Sequence, residues 1–473
     1  MERLSLRDLM QATGGRLRDV DSANARFDRV AIDSRDIRSG DVFWALKGEN
    51  HNGHDFAALA LEQGACVCVA SAGRADSIAG PLLIVDETLS ALGRFASWYR
   101  NRIDTLVIGV TGSVGKTTTR ELIFATLGAQ FNGIQSRRNF NNLIGLPLSL
   151  FELDPSHEFA VLEMGASQIG DIQTLCELAR PEIGVITAIG SAHFQTFGSL
   201  AAIVQTKGEL LEQLPSTGFA VLPGDDAVVR QMADRAPCPV IFVGEGDDNH
   251  IRATRVEARA GSLRFRCEGV DFDVPINGRH SLTNALCAVA IGLEFGIPTH
   301  VLATGLANFT PQPGRCDIVQ IGGWTVIDDT YNASPLSVVA ACRLLRELAV
   351  PGVGHRLLVL GDMRELGETA VAEHERIGHL AAQLQLDRLL VCGEYADDVA
   401  RGAEQFGMKP HQISASFDPE TLFAVLDCWL EPGDLLLVKG SRATRMERVI
   451  DWLKVRAQRE EQLRATTRQR ICA

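Results

Sequence analysis

Two rhythms of apolar and polar positions run along the chain. Short apolar runs rich in Val, Ile and Leu end on glycine or a polar residue, and stretches with helical spacing follow them. TLVIGV (105–110) opens one such series; FAVLEMG (159–165) and EIGVITAIG (182–190) repeat the apolar run, and SLAAIVQTKGELLEQL (199–214) has helical periodicity. Runs of this kind belong to strands covered on both faces of a parallel sheet. Further on, WTVIDD, HRLLVLGD, DRLLVCGE and DLLLVKGS are strand-like runs, each followed by a turn signal and most by a helical stretch. They predict a second α/β unit with a largely parallel sheet. Residues 1–104 mix shorter strands and helices, as in RVAIDSR, DVFWAL and ACVCVA. TPQPGR (310–315) is punctuated by prolines and reads as a linker. The expected class is α/β, in three domains spanning 1–104, 105–313 and 314–473.

Composition narrows the function. At 473 residues the chain exceeds one ordinary core, and 46% hydrophobic residues suit a globular protein. A formal net charge of −13 lacks the basic footprint of nucleic-acid binding, so no nucleic-acid partner is expected. MERLSLRDLMQATGGRLRDV carries charges throughout, without the apolar region of a signal peptide, and no run approaches the ~20 apolar residues of a membrane span. A cytoplasmic protein without membrane insertion is expected. The 11 cysteines are scattered, with no C-x-x-C. Cys66 and Cys68 alone lie close together, and strand alternation would put both on one face. This pattern fits a reducing compartment and no zinc site. The basic residues say more. Only six of 46 are lysines: Lys47, Lys116, Lys207, Lys409, Lys439 and Lys454. Generic positive charge is written here as Arg, so each lysine invites a chemical reading. The tail KVRAQREEQLRATTRQR reads as a solvated helix end.

The sharpest local signal is TLVIGVTGSVGKTTTRE (105–121). A strand runs into a glycine-punctuated turn, then Lys116 and Thr117, then a helix. The strict G-x-x-x-x-G-K-[ST] spacing fails, because Val110 holds the first glycine's place and Gly109 comes one residue early. The chemistry survives the change of spacing. Gly112 and Gly115 let successive N–H groups face phosphate oxygens, Lys116 brings a charge to the outer phosphates, and the Thr117 hydroxyl suits Mg²⁺. The ATP-binding stretch is thus Thr111, Gly112, Ser113, Val114, Gly115, Lys116, Thr117 and Thr118. N-K-x-D and D-x-x-G motifs are both absent, which argues against a GTPase switch.

Ligands of open α/β sheets sit beyond the carboxyl ends of the strands. Glu163 closes one apolar run there and His193 another, beside the phosphate loop. A carboxylate so placed is a second Mg²⁺ anchor. Lys207 follows in the next helical stretch, where a snorkelling surface lysine is the plain alternative.

These residues resemble the Mur ligase family of ATP-dependent amide-bond-forming enzymes, whose TGxxGKT/S loop has the spacing seen here. The resemblance covers essentially the whole chain. DSRDIRSGDVFWALKGENHNGHDF (33–56) looks like the family's UDP-binding motif, RNFNNLIGLPLSL (138–150) like the segment after the first central helix, and LEMGAS and AHFQTFGS like the metal-binding segments. GRHSLTNALCAVA (278–290), DDTYNASPLS (328–337), LGDMRELG (360–367) and VKGSR (438–442) complete the match. It is nearest to the branch that adds D-alanyl-D-alanine to UDP-N-acetylmuramoyl-tripeptide in peptidoglycan synthesis. A sibling branch adds the third residue, diaminopimelate or lysine, and the D-N-P-R signature of its diaminopimelate form is missing here. A reading from another class is an ATP-hydrolysing binding module. Ser167, Gln168 and Leu336 depart from the branch's usual Asn, His and Asp.

The resemblance implies an N-terminal UDP-binding α/β domain, a central P-loop ATPase with a mostly parallel sheet, and a C-terminal Rossmann-like α/β domain. It implies catalytic roles for Lys116, Lys207 and His193, with Asn284, Arg315 and Asp329 joining the ATP site. Two Mg²⁺ ions would be held by Thr117, Glu163, His193 and Lys207, the last as a carbamate. The UDP-substrate would meet Ser34, Arg35, Lys47 and Gly48, and the dipeptide Lys439, Ser441 and Arg442. A monomer is expected, with the C-terminal domain hinged at Arg315 and closing over ATP.

Overall fold

The computed structural model describes every residue except Glu49, Arg138, Ala192, His193, Val350, Pro351 and Ala473, and of residues 464–472 it describes the backbone alone. The chain opens with a two-stranded ribbon, Leu4–Ser5 against Arg26–Phe27. A five-stranded sheet follows, built from β1 (Arg16–Arg18), β2 (Val30–Ala31), β3 (Val42–Trp44), β4 (Val67–Ser71) and β5 (Leu82–Val85) in the order β1-β5-β4-β3-β2. Only β1 runs antiparallel to its neighbour. Helix α1 (Thr88–Arg100) then leads into the central sheet.

That second sheet has seven strands, all parallel: β6 (Leu106–Thr111), β7 (Gly133–Gln135), β8 (Phe159–Glu163), β9 (Ile183–Ile186), β10 (Phe219–Pro223), β11 (Val240–Gly244) and β12 (Ile251–Arg252). Their order is β12-β11-β10-β9-β6-β8-β7, so the phosphate-loop strand β6 lies between β9 and β8. The crossovers place α2 (Lys116–Leu127), α3 (Asp171–Ala179) and α4 (Leu200–Glu212) against it. Residues 159–163 are buried throughout, as a strand covered on both faces requires. A three-stranded antiparallel sheet of β13 (Thr254–Arg259), β14 (Ser262–Cys267) and β15 (Val270–Val274) follows, and Phe265 and Phe272 join the same core as Ile108 and Val110. Helix α5 (Leu282–Glu294) packs on α2.

The third sheet has six strands: β16 (Asp317–Ile321), β17 (Trp324–Asp329), β18 (Arg356–Gly361), β19 (Arg388–Cys392), β20 (Ile413–Ser416) and β21 (Leu435–Lys439). Their order is β16-β17-β21-β18-β19-β20, parallel except for the β16–β17 hairpin. Helix α6 (Pro335–Glu347) follows β17, and the long α7 (Glu447–Cys472) ends the chain. Two apolar clusters cover the sheet's two faces.

The first two units share a core. Leu92 and Phe95 of α1 belong to one cluster with Val107, Leu162, Met164 and Leu175. Residues 1–104 are therefore packed onto the central sheet and not merely tethered to it. The third unit touches the second more lightly, where the Gln195 N–H donates to the Glu365 carbonyl (2.9 Å).

One sequence expectation fails here. Cys66 and Cys68 do not share a face: Cys68 packs with Ala70 and Phe43, whereas Cys66 packs with the cluster containing Val67 and Val69. The reason is that β4 begins at Val67, so alternation does not extend back to Cys66.

Candidate active site

A cleft of about 1500 Å³ opens between the central and C-terminal sheets, at the carboxyl ends of their strands. Ser113 through Thr118 line its floor, with Asn284 beside them. The loop bends as it does because of two glycines. Gly112 (φ +148°) and Gly115 (φ +84°) adopt backbone that side chains disfavour. A Cβ on Gly115 would meet Asn284 Oδ1 at 2.7 Å, and one on Gly112 would meet Thr187 Oγ1 at 2.1 Å. Thr111 lies beneath, fully buried, with its hydroxyl donating to the Met164 carbonyl (2.8 Å). The segment just after β9 braces the loop, since Ser113 N–H donates to the Ala188 carbonyl (2.8 Å). Thr119 Oγ1 donates to Asn284 Oδ1 (3.1 Å), which ties α2 to α5.

Lys116 curls back to donate to the Gly112 carbonyl (2.8 Å). Burial in the cleft floor lowers its pKa; Glu163 pulls the other way, and Arg315 adds to the lowering. One residue on, Thr117 Oγ1 donates to Glu163 Oε2 (2.8 Å). Glu163 is 3% exposed at the end of β8 and is held from three sides. Asn141 Nδ2 donates to its Oε1 (2.9 Å) and Arg120 Nη1 to its Oε2 (3.3 Å). Neither Asn141 nor Arg120 was singled out from the sequence, although both lie in the stretches TTTRE and RNFNN. An arginine one helical turn after the phosphate-loop lysine was the available signal.

Lys207 is not a snorkelling surface residue. It is 2% exposed on α4, with Nζ 5.9 Å from the centre of the Phe197 ring. Burial first and the like charge of Lys116 second push its pKa down to about 7, against Asp171, Glu209 and Glu163. His193 lies outside the described residues.

The opposite wall comes from the C-terminal unit. Arg315 stacks over Tyr331, 4.1 Å from the ring centre, and its buried Nε has no hydrogen-bond partner among the described residues. Asp329 and Lys439 end neighbouring parallel strands in register and form an ion pair at 2.5 Å. Lys439 also donates to the Asn332 carbonyl (2.8 Å), and Ser441 Oγ accepts from the Arg364 N–H (2.8 Å) while donating to the Ala333 carbonyl (3.2 Å). Arg442 is exposed and pairs with Glu447 (3.3 Å). All three line the cleft. Leu336 reaches across to Gly190, where a Cβ would come within 3.1 Å of its Cδ2. Ser167 and Gln168 donate backbone N–H groups to Asp171 at the start of α3 (2.8 and 3.0 Å).

Ser34, Arg35, Lys47 and Gly48 form no part of this cleft. Ser34 is buried at the start of a short 3-10 turn, and Arg35 is exposed and paired with Asp33 (2.7 Å). Lys47 bridges to Asn52 in a tight loop, where the Gly48 N–H donates to the His51 carbonyl (2.9 Å).

Residues 110–292 match the Mur ligase middle domain, 314–442 the Mur ligase glutamate ligase domain and 26–97 the Mur ligase family catalytic domain. The chain belongs to the Mur ligase family. As a Mur ligase it is an ATP-dependent ligase. It is 35% identical over 429 residues to the UDP-N-acetylmuramoyl-tripeptide–D-alanyl-D-alanine ligase of Bacillus subtilis (strain 168), covering 89% of this chain and 92% of that protein. Identity to the Escherichia coli (strain K12) ligase of the same name is 33% over 441 residues, 91% and 95% of the two chains. MurF from Acinetobacter baumannii superposes with a TM-score of 0.87 at 29% identity, over 96% of this chain and 99% of that one. MurF ligase from Thermotoga maritima in complex with ADP gives 0.78 at 30% identity, over 91% and 98%. Among the described residues no helix of this Mur ligase is long and apolar enough to cross a membrane.

Proposed function

We propose that this chain joins D-alanyl-D-alanine to UDP-N-acetylmuramoyl-tripeptide in the cytoplasm, as a monomer, with ATP activating the tripeptide's terminal carboxylate. The observation that carries the reading is the Lys116–Thr117–Glu163 floor of the cleft, faced across it by the strand ends of a second α/β sheet. The relatives' names supply the substrate class.

The donor set fits Mg²⁺. A buried carboxylate and a threonine hydroxyl 2.8 Å apart open onto a cleft with room for phosphates. Mg²⁺ is commonly held by one or two carboxylates plus substrate phosphates, so the absence of a cluster of three or more His, Cys, Asp or Glu ligands among the described residues is consistent with it. Thr117 and Glu163 would hold one ion, which when bound neutralises phosphate charge. His193 and Lys207 are assigned to a second. A Lys207 amine with its pKa near 7 is partly neutral at physiological pH and can add CO₂, losing one proton to become an anionic carbamate.

The terminal carboxylate attacks the γ-phosphorus, the bond to ADP breaks, and an acyl phosphate results. The dipeptide's amine then attacks the acyl carbon, phosphate leaves, and the amine's proton is lost to solvent. This chain's residues orient and neutralise: Lys116 on the cleft floor would offset γ-phosphate charge, and Arg315 offers a guanidinium on the opposite wall whose Nε has no hydrogen-bond partner among the described residues. Closure of residues from 316 onward about the 310–315 linker would keep water from the acyl phosphate. Ser34, Arg35, Lys47 and Gly48 are assigned to the UDP moiety, and Lys439, Ser441 and Arg442 to the dipeptide end.

Incubation with ATP, Mg²⁺, D-alanyl-D-alanine and UDP-N-acetylmuramoyl-tripeptides ending in diaminopimelate or lysine tests this. A product heavier by one dipeptide less water supports it; no such product from either tripeptide contradicts it.

A further inference from the structure

We infer that Arg120 is a positioning residue for the Glu163 carboxylate, fixing the oxygen that meets the Thr117 hydroxyl and leaving the carboxylate directed at a bound cation. The inference rests on the reading of Glu163 and Thr117 as a cation site. Arg120 is 1% exposed, among the largest fully buried side chains. It follows Thr117 by three residues on α2, so one helix carries both the hydroxyl and the guanidinium behind the carboxylate.

Each nitrogen of the guanidinium has a different acceptor. Nε donates to Gln135 Oε1 (3.1 Å) on β7, Nη1 to Glu163 Oε2 (3.3 Å) on β8, and Nη2 to Glu121 Oε1 (3.0 Å) on α2. A planar fork held at three points cannot swing, and its orientation is therefore imposed on Glu163. Asn141 Nδ2 secures the other oxygen at 2.9 Å, so the carboxylate is held from the helix side and the loop side at once. A purely structural ion pair would need only charge and proximity. This arrangement has geometry as well: lysine at this position would keep the charge and lose the fork. Groups that orient a metal-binding carboxylate affect metal affinity by roughly 10- to 100-fold when changed.

The test uses the full chain and Mn²⁺ as a spectroscopic probe, with free Mn²⁺ followed by electron paramagnetic resonance in the presence of ADP. Arg120→Lys is expected to weaken Mn²⁺ binding roughly 10- to 100-fold. Its ADP affinity measured in EDTA should remain at the parent value. Gln135→Leu removes the Nε acceptor without altering any charge and should weaken Mn²⁺ binding in the same direction by less. Parental Mn²⁺ affinity in Arg120→Lys overturns the inference, as does equal loss of ADP affinity in EDTA. Should Arg120→Lys not fold, parental Mn²⁺ affinity in Gln135→Leu overturns it. Glu163→Gln separates the two levels. If it binds Mn²⁺ like the parent, the cation site itself is misassigned. If it loses Mn²⁺ while Arg120→Lys does not, only the positioning role fails.

Discussion

Lys439 and Asp329 meet at 2.5 Å where β21 and β17 end side by side, with side chains 2% and 12% exposed. The family resemblance implies a dipeptide contact for one and an ATP contact for the other, and the fold makes them a single unit on the cleft wall. Removing one member of a buried pair leaves an uncompensated charge, at a cost of about 3–5 kcal/mol. Lys439→Ala should therefore lower the urea midpoint markedly. The double change Lys439→Met with Asp329→Asn should recover much of the loss. A single variant as stable as the parent would show that the pair carries little.

Lys116→Ala should abolish ATP-dependent ligation, by at least about 100-fold in kcat, with an unchanged circular dichroism spectrum. Its Nζ donates to the Gly112 carbonyl (2.8 Å), a contact within the loop itself. Normal turnover by a folded variant would exclude this loop as the phosphate site.

Lys207 gives the pH prediction. Its pKa in the folded chain is about 7, against an ordinary 10.5, so between those values the unfolded chain binds a proton that the folded chain does not. Stability contributed at this site is lowest below pH 7 and rises with pH across that window. Lys207→Met should flatten that part of the stability profile. At fixed CO₂ pressure, the ¹³C NMR carbamate signal should appear as pH rises through about 7, where an unperturbed lysine would stay protonated. Lys207→Arg, which cannot shed its proton, should be nearly inactive, and Lys207→Ala should be partly rescued by small carboxylates. Parental activity in Lys207→Arg would contradict the assignment.

Arg35→Ala should weaken binding of the UDP-substrate and leave the melting temperature unchanged, because the Arg35–Asp33 pair is exposed. Isothermal titration with the UDP-tripeptide measures it, and unchanged affinity would remove Arg35 from that site. A point variant is the sounder probe than deletion of 1–104, which would strip Leu92 and Phe95 from the core they share with Leu162 and Met164.

What was legible in the sequence is what is contiguous. The phosphate loop spells out strand, turn, lysine and helix within residues 105–121, and fully apolar runs announced the parallel strands. Glu163 stood out because strand ends collect ligands, and the fold sets it 2.8 Å from the Thr117 hydroxyl. Arg120 and Asn141 were not, since their roles depend on β8 lying beside β7 and β6, a neighbourhood set by sheet order. The Asp329–Lys439 pair was hidden for the same reason: 110 residues separate them, and only the β17–β21 adjacency joins them. The β13–β15 sheet was legible but passed over: VDFDV alternates apolar and charged positions, the pattern of a strand with one solvated face, and Phe272 and Val274 are its buried side.

The central claim is that ATP cleavage is coupled to joining two substrates. Phosphate release should be measured with ATP and Mg²⁺ alone, with UDP-N-acetylmuramoyl-tripeptide added, with D-alanyl-D-alanine added, and with both. Rapid release only when both are present, one phosphate per ligated product, is the predicted result. Release at the same rate without the tripeptide or without the dipeptide would contradict it and favour an ATP-hydrolysing binding protein.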